Sequence, residues 1–431
     1  MALPVAALRS LRHRNYRLWA VADFVSVAGT WAQVLGVNWL ILTITGSATS
    51  VGVSLVLQAL PTLLLGLWGG SLADRLPSRP VVLAAQAAQA ALAATLALIT
   101  TGGLPPMAAV YGIMVASGLV NAVTAPTLGR FGGEVVPPED LPNAMALGSV
   151  ISSGARILGM SLAGAFLPLT GVRGLFLFNT LSFFAVIAAV LGMNRGELHV
   201  LERAEGSTDL GVRGSVRYVL RTPWLLVLLA LAFVLGSLGR NYQVTMAAMS
   251  AGPLRAGASG YGLLSTVFAV GTVSGGIAVA SRHRLSVRLL LGAAMLASVT
   301  QMASGLMPGL MSFAALMLPI AASAIVLDTA VAARAQLDSP DHMRGRVIAV
   351  LGVVSAASGA LGGPLLGLMS DTLGPRAALQ LAGLATVAAT ALAAVAFARL
   401  SGVRSAAAVL ERLRPRPAEI AVPELAGQRA S

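Results

Sequence analysis

Four ionisable side chains stand inside long apolar runs: Asp23, Arg156, Arg240 and Asp328. A charge at the centre of a bilayer-spanning helix costs about 2.5–3.5 kcal/mol on insertion scales, so each should face a cavity or a partner. Together the four carry no net charge. Asp23 has two readings. A protonatable carboxylate would hold its proton when desolvated and yield it when an arginine approaches; a static partner would pair with Arg156 and lock two helices. Arg240 lies deep in its run and fits a cavity-facing cation, set against an anion or an acid. Asp328 stands about one turn from the end of its run, where a plain interfacial acid is the simpler reading.

Residue type removes other chemistries. The chain has no cysteine, which excludes disulfides and thiolate metal sites. The four histidines, His13, His199, His283 and His342, fall in polar stretches between the apolar runs, which argues against a buried metal cluster. Every basic residue is arginine. A chain without lysine cannot carry the phosphate loop G-x-x-x-x-G-K-[ST], so nucleotide-driven work by this chain alone is excluded, and no cofactor is expected.

The elements that position these groups follow from composition. Of 431 residues, 56% are hydrophobic and only 10% charged, with a mean hydropathy of +0.83. A soluble domain carries about 25% charged residues to wet its surface; here lipid must cover the rest. Unbroken apolar runs exclude an outer-membrane barrel, whose strands alternate every second residue. Runs of about 20 residues suit helices crossing about 30 Å of hydrocarbon. Spans are expected at about 18–44, 49–72, 81–101, 105–129, 143–168 and 174–193, then 223–247, 260–281, 287–307, 309–332, 346–369 and 376–398. Arg9, Arg12, Arg14 and Arg17 precede a run long enough to span, which reads as a retained first helix and not a cleaved signal. The polar stretch 194–222 divides the chain into an N-terminal bundle at 1–193 and a C-terminal bundle at 223–398, with a tail at 399–431. The tail offers a short basic helix, GVRSAAAVLERLRP, suited to a membrane surface, and then a disordered Pro-rich end.

Arginine placement orients the spans. With both termini cytoplasmic, 24 of the 29 basic residues fall on the inner side, only Arg173, Arg255 and Arg376 on the outer, and two within spans. That is the positive-inside pattern. The net charge of +13 is therefore a topology signal, and nucleic acid is not an expected partner.

The two halves repeat. At an offset of 203, Gly159, Gly164, Gly171 and Arg173 fall on Gly362, Gly367, Gly374 and Arg376. Gly69-Gly70 matches Gly275-Gly276, and PPEDLPNAMA after span 4 matches SPDHMRGRVIA after span 10. Two such bundles place a binding site at their interface, near the midplane.

The loop after span 2, Gly69-Gly70-Ser71-Leu72-Ala73-Asp74-Arg75-Leu76-Pro77-Ser78-Arg79, resembles the G-x-L-A-D-R-x-G-R-[KR] loop of the major facilitator superfamily. Gly70, Leu72, Ala73, Asp74, Arg75 and Arg79 match; Pro77 and Ser78 depart from it. The segments at 11–33, 135–159, 258–272 and 341–350 resemble the branch of that superfamily that includes enterobactin and macrolide exporters. Gly154 to Gly164 on span 5 is similar to the exporter glycine motif, with Met160 where that motif has proline; span 11 keeps the pair as Gly363-Pro364.

The resemblance implies an all-α membrane fold of 12 spans in two pseudo-symmetric six-helix bundles, with spans 1, 4, 7 and 10 around a central cavity. It gives the motif residues Gly70, Asp74, Arg75 and Arg79 a role in stabilising one conformation of a rocking cycle; as bare residues they also read as interfacial solubilising charges. Asp23, Arg240 and Asp328 then fall on cavity-lining spans, and Arg156 on a neighbour of span 1. Helical spacing extends the set. Asp23, Ser26, Thr30 and Gln33 form one stripe on span 1, Ser117, Asn121 and Thr124 another on span 4, and Asn241 and Gln243 flank Arg240.

The expectation is a monomeric, multi-pass transporter in a bacterial inner membrane, exporting a small lipophilic compound (a drug, siderophore or metabolite) in exchange for protons. The proton gradient is its energy source, and protons, substrate and membrane lipid are its partners. An importer or facilitator remains open, since direction depends on coupling and not on fold. A channel or receptor is disfavoured by the repeat and by the lack of a sizeable extramembrane domain.

Overall fold

Backbone amides in hydrocarbon find no water, so a spanning chain must bond its own amides within helices. The computed structural model describes residues 5–73, 76–199, 212–280, 282, 285–340 and 343–400, with the side chains of 5–8, 66–73, 212–216, 345, 346 and 349 excepted. Those residues form thirteen α-helices and no strand. The first half holds α1 (Arg14–Thr45), α2 (Ala48–Ala73), α3 (Ser78–Ile99), α4 (Met107–Glu134) and α5 (Leu141–Leu191). A short α6 (Val212–Arg221) lies in what the sequence presented as a polar connection. The second half holds α7 (Pro223–Gly239), α8 (Tyr242–Ala251), α9 (Gly257–Ala280), α10 (Val287–Ser304), α11 (Leu310–Leu337), α12 (Arg344–Leu373) and α13 (Pro375–Leu400).

Eleven stretches are long and apolar enough to cross a membrane, and one of them, Pro138–Leu191, runs to 54 residues. That stretch makes two passes. Gly159 abuts Ala28, while Asn179 and Ser182 crowd Gly29. A straight helix would put residues 159 and 182 about 35 Å apart, so the chain reverses between them. It does so at Gly171, whose φ of 63° is left-handed and open to glycine at no steric cost. The described residues thus provide twelve passes. Gly374, the repeat partner of Gly171, turns α12 into α13 with φ 87°.

Span 7 departs from expectation. It is not one helix over 223–247 but α7 and α8, broken at Arg240-Asn241. A break frees carbonyls that lipid cannot satisfy. Here the Asn241 Nδ2 donates to Gly236 O and Ser237 O at 3.2 and 3.1 Å, and the Gln301 Nε2 of α10 donates to Leu238 O at 2.8 Å.

The other repeated glycines are helix contacts. Gly159 lets α5 touch Ala28 of α1, and Gly362 lets α12 touch Ser237 of α7, both within a half. Gly164 meets Gly262 of α9, and Gly367 meets Ala48-Thr49 of α2, both across the halves. Span 5 shows no break at Gly159-Met160, where the exporter motif has its proline.

The apolar core divides by depth. Toward the end that holds Arg9, Arg79 and Arg130, each half has its own cluster: Tyr16, Val82, Phe131 and Val190 in the first, and Leu225, Leu290, Ala330 and Val347 in the second. Toward the opposite end one cluster joins both, including Leu40, Val51 and Phe176 with Met246, Tyr261 and Phe313.

Candidate functional site

Two cavities hold the residues singled out in the sequence. The first, about 520 Å³, lies inside the first half. Its lining runs along α1 from Tyr16 to Val34, about 27 Å at helical rise. The span 1 stripe, Asp23, Ser26, Thr30 and Gln33, faces it, as do Ser117, Asn121 and Thr124 of α4. Asn179 donates to Gln33 at 2.8 Å, and Gln89 donates to Asn121 at 3.1 Å while accepting from Ser117 at 3.0 Å. Gln58, Gln86, Gln89, Ser152 and Asn179 also line this cavity and escaped the sequence reading. Gln86 and Gln89 carried a signal, since two glutamines one turn apart in an alanine run mark a polar face.

Asp23 does not pair with Arg156. Its carboxylate accepts from Ser152 Oγ at 3.2 Å, and among the described residues no cation lies within ion-pair distance of it. The physical reason is orientation. Arg156, one turn beyond Ser152 on α5, turns toward the gap between the halves, where its guanidinium lies 5.7 Å from the ring centre of Trp31 on α1 and donates to Thr272 Oγ1 of α9, in the other half, at 3.3 Å.

The second cavity, about 440 Å³, lies between the halves. Trp31, Leu55 and Met160 line it from one side, Tyr242, Met246 and Phe268 from the other, with Arg156, Arg240, Asn241 and Asp328 among them. Asp328 is no mere interfacial acid: its Oδ1 pairs with Arg240 Nη1 at 2.7 Å. The break in span 7 makes that possible. Arg240 occupies the C-cap of α7, where a cation complements the helix dipole, and its side chain is free to reach α11. Asn241 reaches the cavity too, but its amide is spent on the carbonyls that the break exposes.

The loop motif is placed in part. Arg79 donates to Val190 O and Leu191 O at 2.9 and 3.3 Å, closing the end of α5 within the first half. Gly70 lies on α2, and Asp74 and Arg75 fall outside the described residues, as does the tail beyond Leu400. The 135–159 segment is anchored through Asp140, which pairs with Arg9 and His13 at 2.6 and 2.7 Å.

At the end remote from Arg79 the halves are fastened by polar groups. Asn38 of α1 donates to Tyr261 Oη and Gln243 Oε1 at 3.3 and 3.4 Å, and Asp371 of α12 caps the start of α2.

Comparison with known proteins agrees with this architecture. Solved structures with the same fold include a bacterial homologue of the human lysosomal transporter Spinster, in an inward-facing and unoccupied conformation (TM-score 0.68, 17% identity, 94% of this chain and 99% of that one). The nucleoside transporter NupG matches with TM-score 0.71 at 11% identity over 89% and 99% of the two chains. A bacterial homologue of the iron transporter ferroportin, in an inward-facing state, matches with TM-score 0.66 at 19% identity over 88% and 98%. The staphyloferrin A transporter of Staphylococcus aureus (strain NCTC 8325 / PS 47) is 22% identical over 174 residues, 40% of this chain and 44% of that one, so this likeness spans under half of either. The family of transmembrane secretion effectors, within the major facilitator superfamily, matches residues 5–427. The chain belongs to that family, and its fold is that of a multi-pass membrane transporter.

Proposed function

We propose that this member of the secretion effector family exports a small lipophilic compound in exchange for protons, by alternating access, with both termini cytoplasmic. The observation that carries the reading is the division of the core: one apolar cluster shared by both halves at the Asp371 end, and separate clusters at the arginine-rich end. Halves fastened at one end and independent at the other describe one extreme of a rocking cycle. Arginine placement makes the separate end cytoplasmic, so the conformation is inward-facing.

The carrier of the proton is Asp23. It stands in a polar cavity with a hydroxyl for a partner, whereas Asp328 is held by Arg240. Substrate occupies the cavity between the halves, where aromatic and methionine side chains offer apolar surface with few polar groups. A siderophore-like cargo agrees with the partial likeness to the staphyloferrin A transporter.

The test is flux from proteoliposomes loaded with candidate compounds, driven by an imposed pH gradient. Gradient-dependent movement of at least one compound is expected. Flux that ignores the gradient for every compound would leave a facilitator, and coupled flux in the opposite direction an importer.

A further inference from the structure

The cavity between the halves contains two arginines and one acid. Arg240 and Asp328 neutralise each other, which leaves Arg156 as the excess charge. A guanidinium offers five donors in a planar fork. Arg156 spends one of them on Thr272 Oγ1; that hydroxyl gives its own proton to Ala269 O at 2.7 Å and so presents a lone pair. The Arg156 Nε is buried with no hydrogen-bond partner. Among the described residues its guanidinium otherwise meets the face of Trp31 and feels the charge of Asp328 from beyond ion-pair distance, that acid being held by Arg240. A buried cation donor without a partner needs an explanation, and a mid-membrane charge is costly to keep.

The surroundings name the missing partner. The cavity's net charge is one positive unit, so a single negative charge balances it. The fork of Arg156 matches the two oxygens of an oxyanion. The start of α8 at Tyr242 lines the same cavity, and the positive end of its dipole has the same sign. Around these the walls are Trp31, Leu55, Met160, Tyr242 and Phe268. We infer that Arg156 anchors the substrate through one carboxylate, or another singly charged oxyanion, borne on an apolar, aromatic-sized body. The cargo is thus an amphiphilic monoanion and not a lipophilic cation, which would meet an unbalanced positive charge. The inference rests on the proposal that this cavity is the transport site.

The test uses the purified full-length chain and a matched pair of probes, dansylglycine and its neutral carboxamide, with binding read by dansyl fluorescence. A charge-assisted hydrogen-bonded pair is worth about 1.5–3 kcal/mol, so wild type should prefer the acid by about 10- to 100-fold. In R156Q the preference should fall to about 2-fold or less; R156K, which keeps the charge but not the fork, should lie between. Retained amide binding shows that each variant is folded, and the wild-type ratio needs no variant at all. Equal binding of acid and amide to wild type, no binding of either, or a preference that survives in R156Q overturns the inference. Gradient-driven flux of both probes separates the two claims. Acid-selective binding without flux sinks the transport proposal alone, and equal flux of acid and amide sinks the anion anchor alone.

Discussion

Asp371 of α12 accepts hydrogen bonds from the Thr49 backbone N–H at 2.9 Å and the Thr49 hydroxyl at 2.6 Å, so a carboxylate of one half caps the first turn of a helix in the other. Ala48 N and Ser47 Oγ complete the cap at 2.8 and 2.6 Å. The repeat partner of Asp371 at the offset of 203 is Pro168, so the crossing of α5 with α9 has no equivalent clasp. Removing an N-cap acceptor costs about 0.5–2 kcal/mol. D371A should therefore shift the conformational equilibrium about tenfold toward the state open at this end. The chain has no native cysteine, so spin labels placed at exposed Leu104 and Met311 report the opening directly. An unchanged distance distribution would reduce Asp371 to a surface residue.

The glycine crossings give a second prediction. A Cβ at Gly164 would enter the backbone of Gly262, and one at Gly367 the backbone of Ala48-Thr49. Backbone cannot step aside as a flexible side chain can, and overpacking costs about 1–3 kcal/mol. G164V and G367V should each hold the Asp371 end apart and stop transport, with the same label pair reading longer distances. G112A, where a Cβ meets nothing within 4 Å, should transport normally.

Neutralising one partner of the cavity ion pair strands the other. For fully buried pairs that loss is about 3–5 kcal/mol, but the Arg240 and Asp328 side chains are 39% and 33% exposed. A loss of about 1–2 kcal/mol is therefore expected for R240Q or D328N. The double variant R240Q/D328N should recover most of it. Thermal unfolding in detergent checks this, and additive losses in the double variant would show that the two do not couple.

The parts of this site that were legible in the sequence are those governed by helical periodicity. The stripe from Asp23 to Gln33 lines a cavity because steps of three and four share a face, and the repeated Gly164 and Gly367 mark contact because only glycine permits such approach. What stayed hidden depends on side-chain direction and on breaks. Charge balance alone pointed Arg156 at Asp23, while packing turned it toward Trp31 and Thr272. Counting from the end of its span made Asp328 look interfacial; the bend at Arg240-Asn241, with no proline to announce it, brings Arg240 to it. Asp371 drew no reading from the sequence, because its partners come from the other half.

That unannounced break makes Gln301 a critical residue. It is 2% exposed and supplies the amide for the Leu238 carbonyl. Replacing it by leucine leaves the carbonyl in hydrocarbon without a donor, which costs about 1–3 kcal/mol. Q301L should lower the unfolding temperature and weaken transport together. Lost transport at unchanged stability would instead give Gln301 a direct part in the cycle.

Asp23 provides the sharpest test of coupling. In D23N the amide oxygen still accepts from Ser152 Oγ, which Asp23 does at 3.2 Å, so the cavity keeps its shape and loses only the ionisable group. A carrier that exchanges protons through Asp23 should then bind and exchange substrate down its own gradient, while an imposed pH gradient drives nothing. The sign follows from the carboxylate's charge. With the wild type, raising the internal pH of proteoliposomes favours proton release from Asp23 on the inward-facing side and should raise the rate; with D23N, the rate should stay flat across the same range. Counterflow with labelled substrate separates this from simple inactivation, since it needs rocking but no gradient. Intact counterflow with lost coupling assigns the proton to Asp23, and intact coupling in D23N assigns it elsewhere.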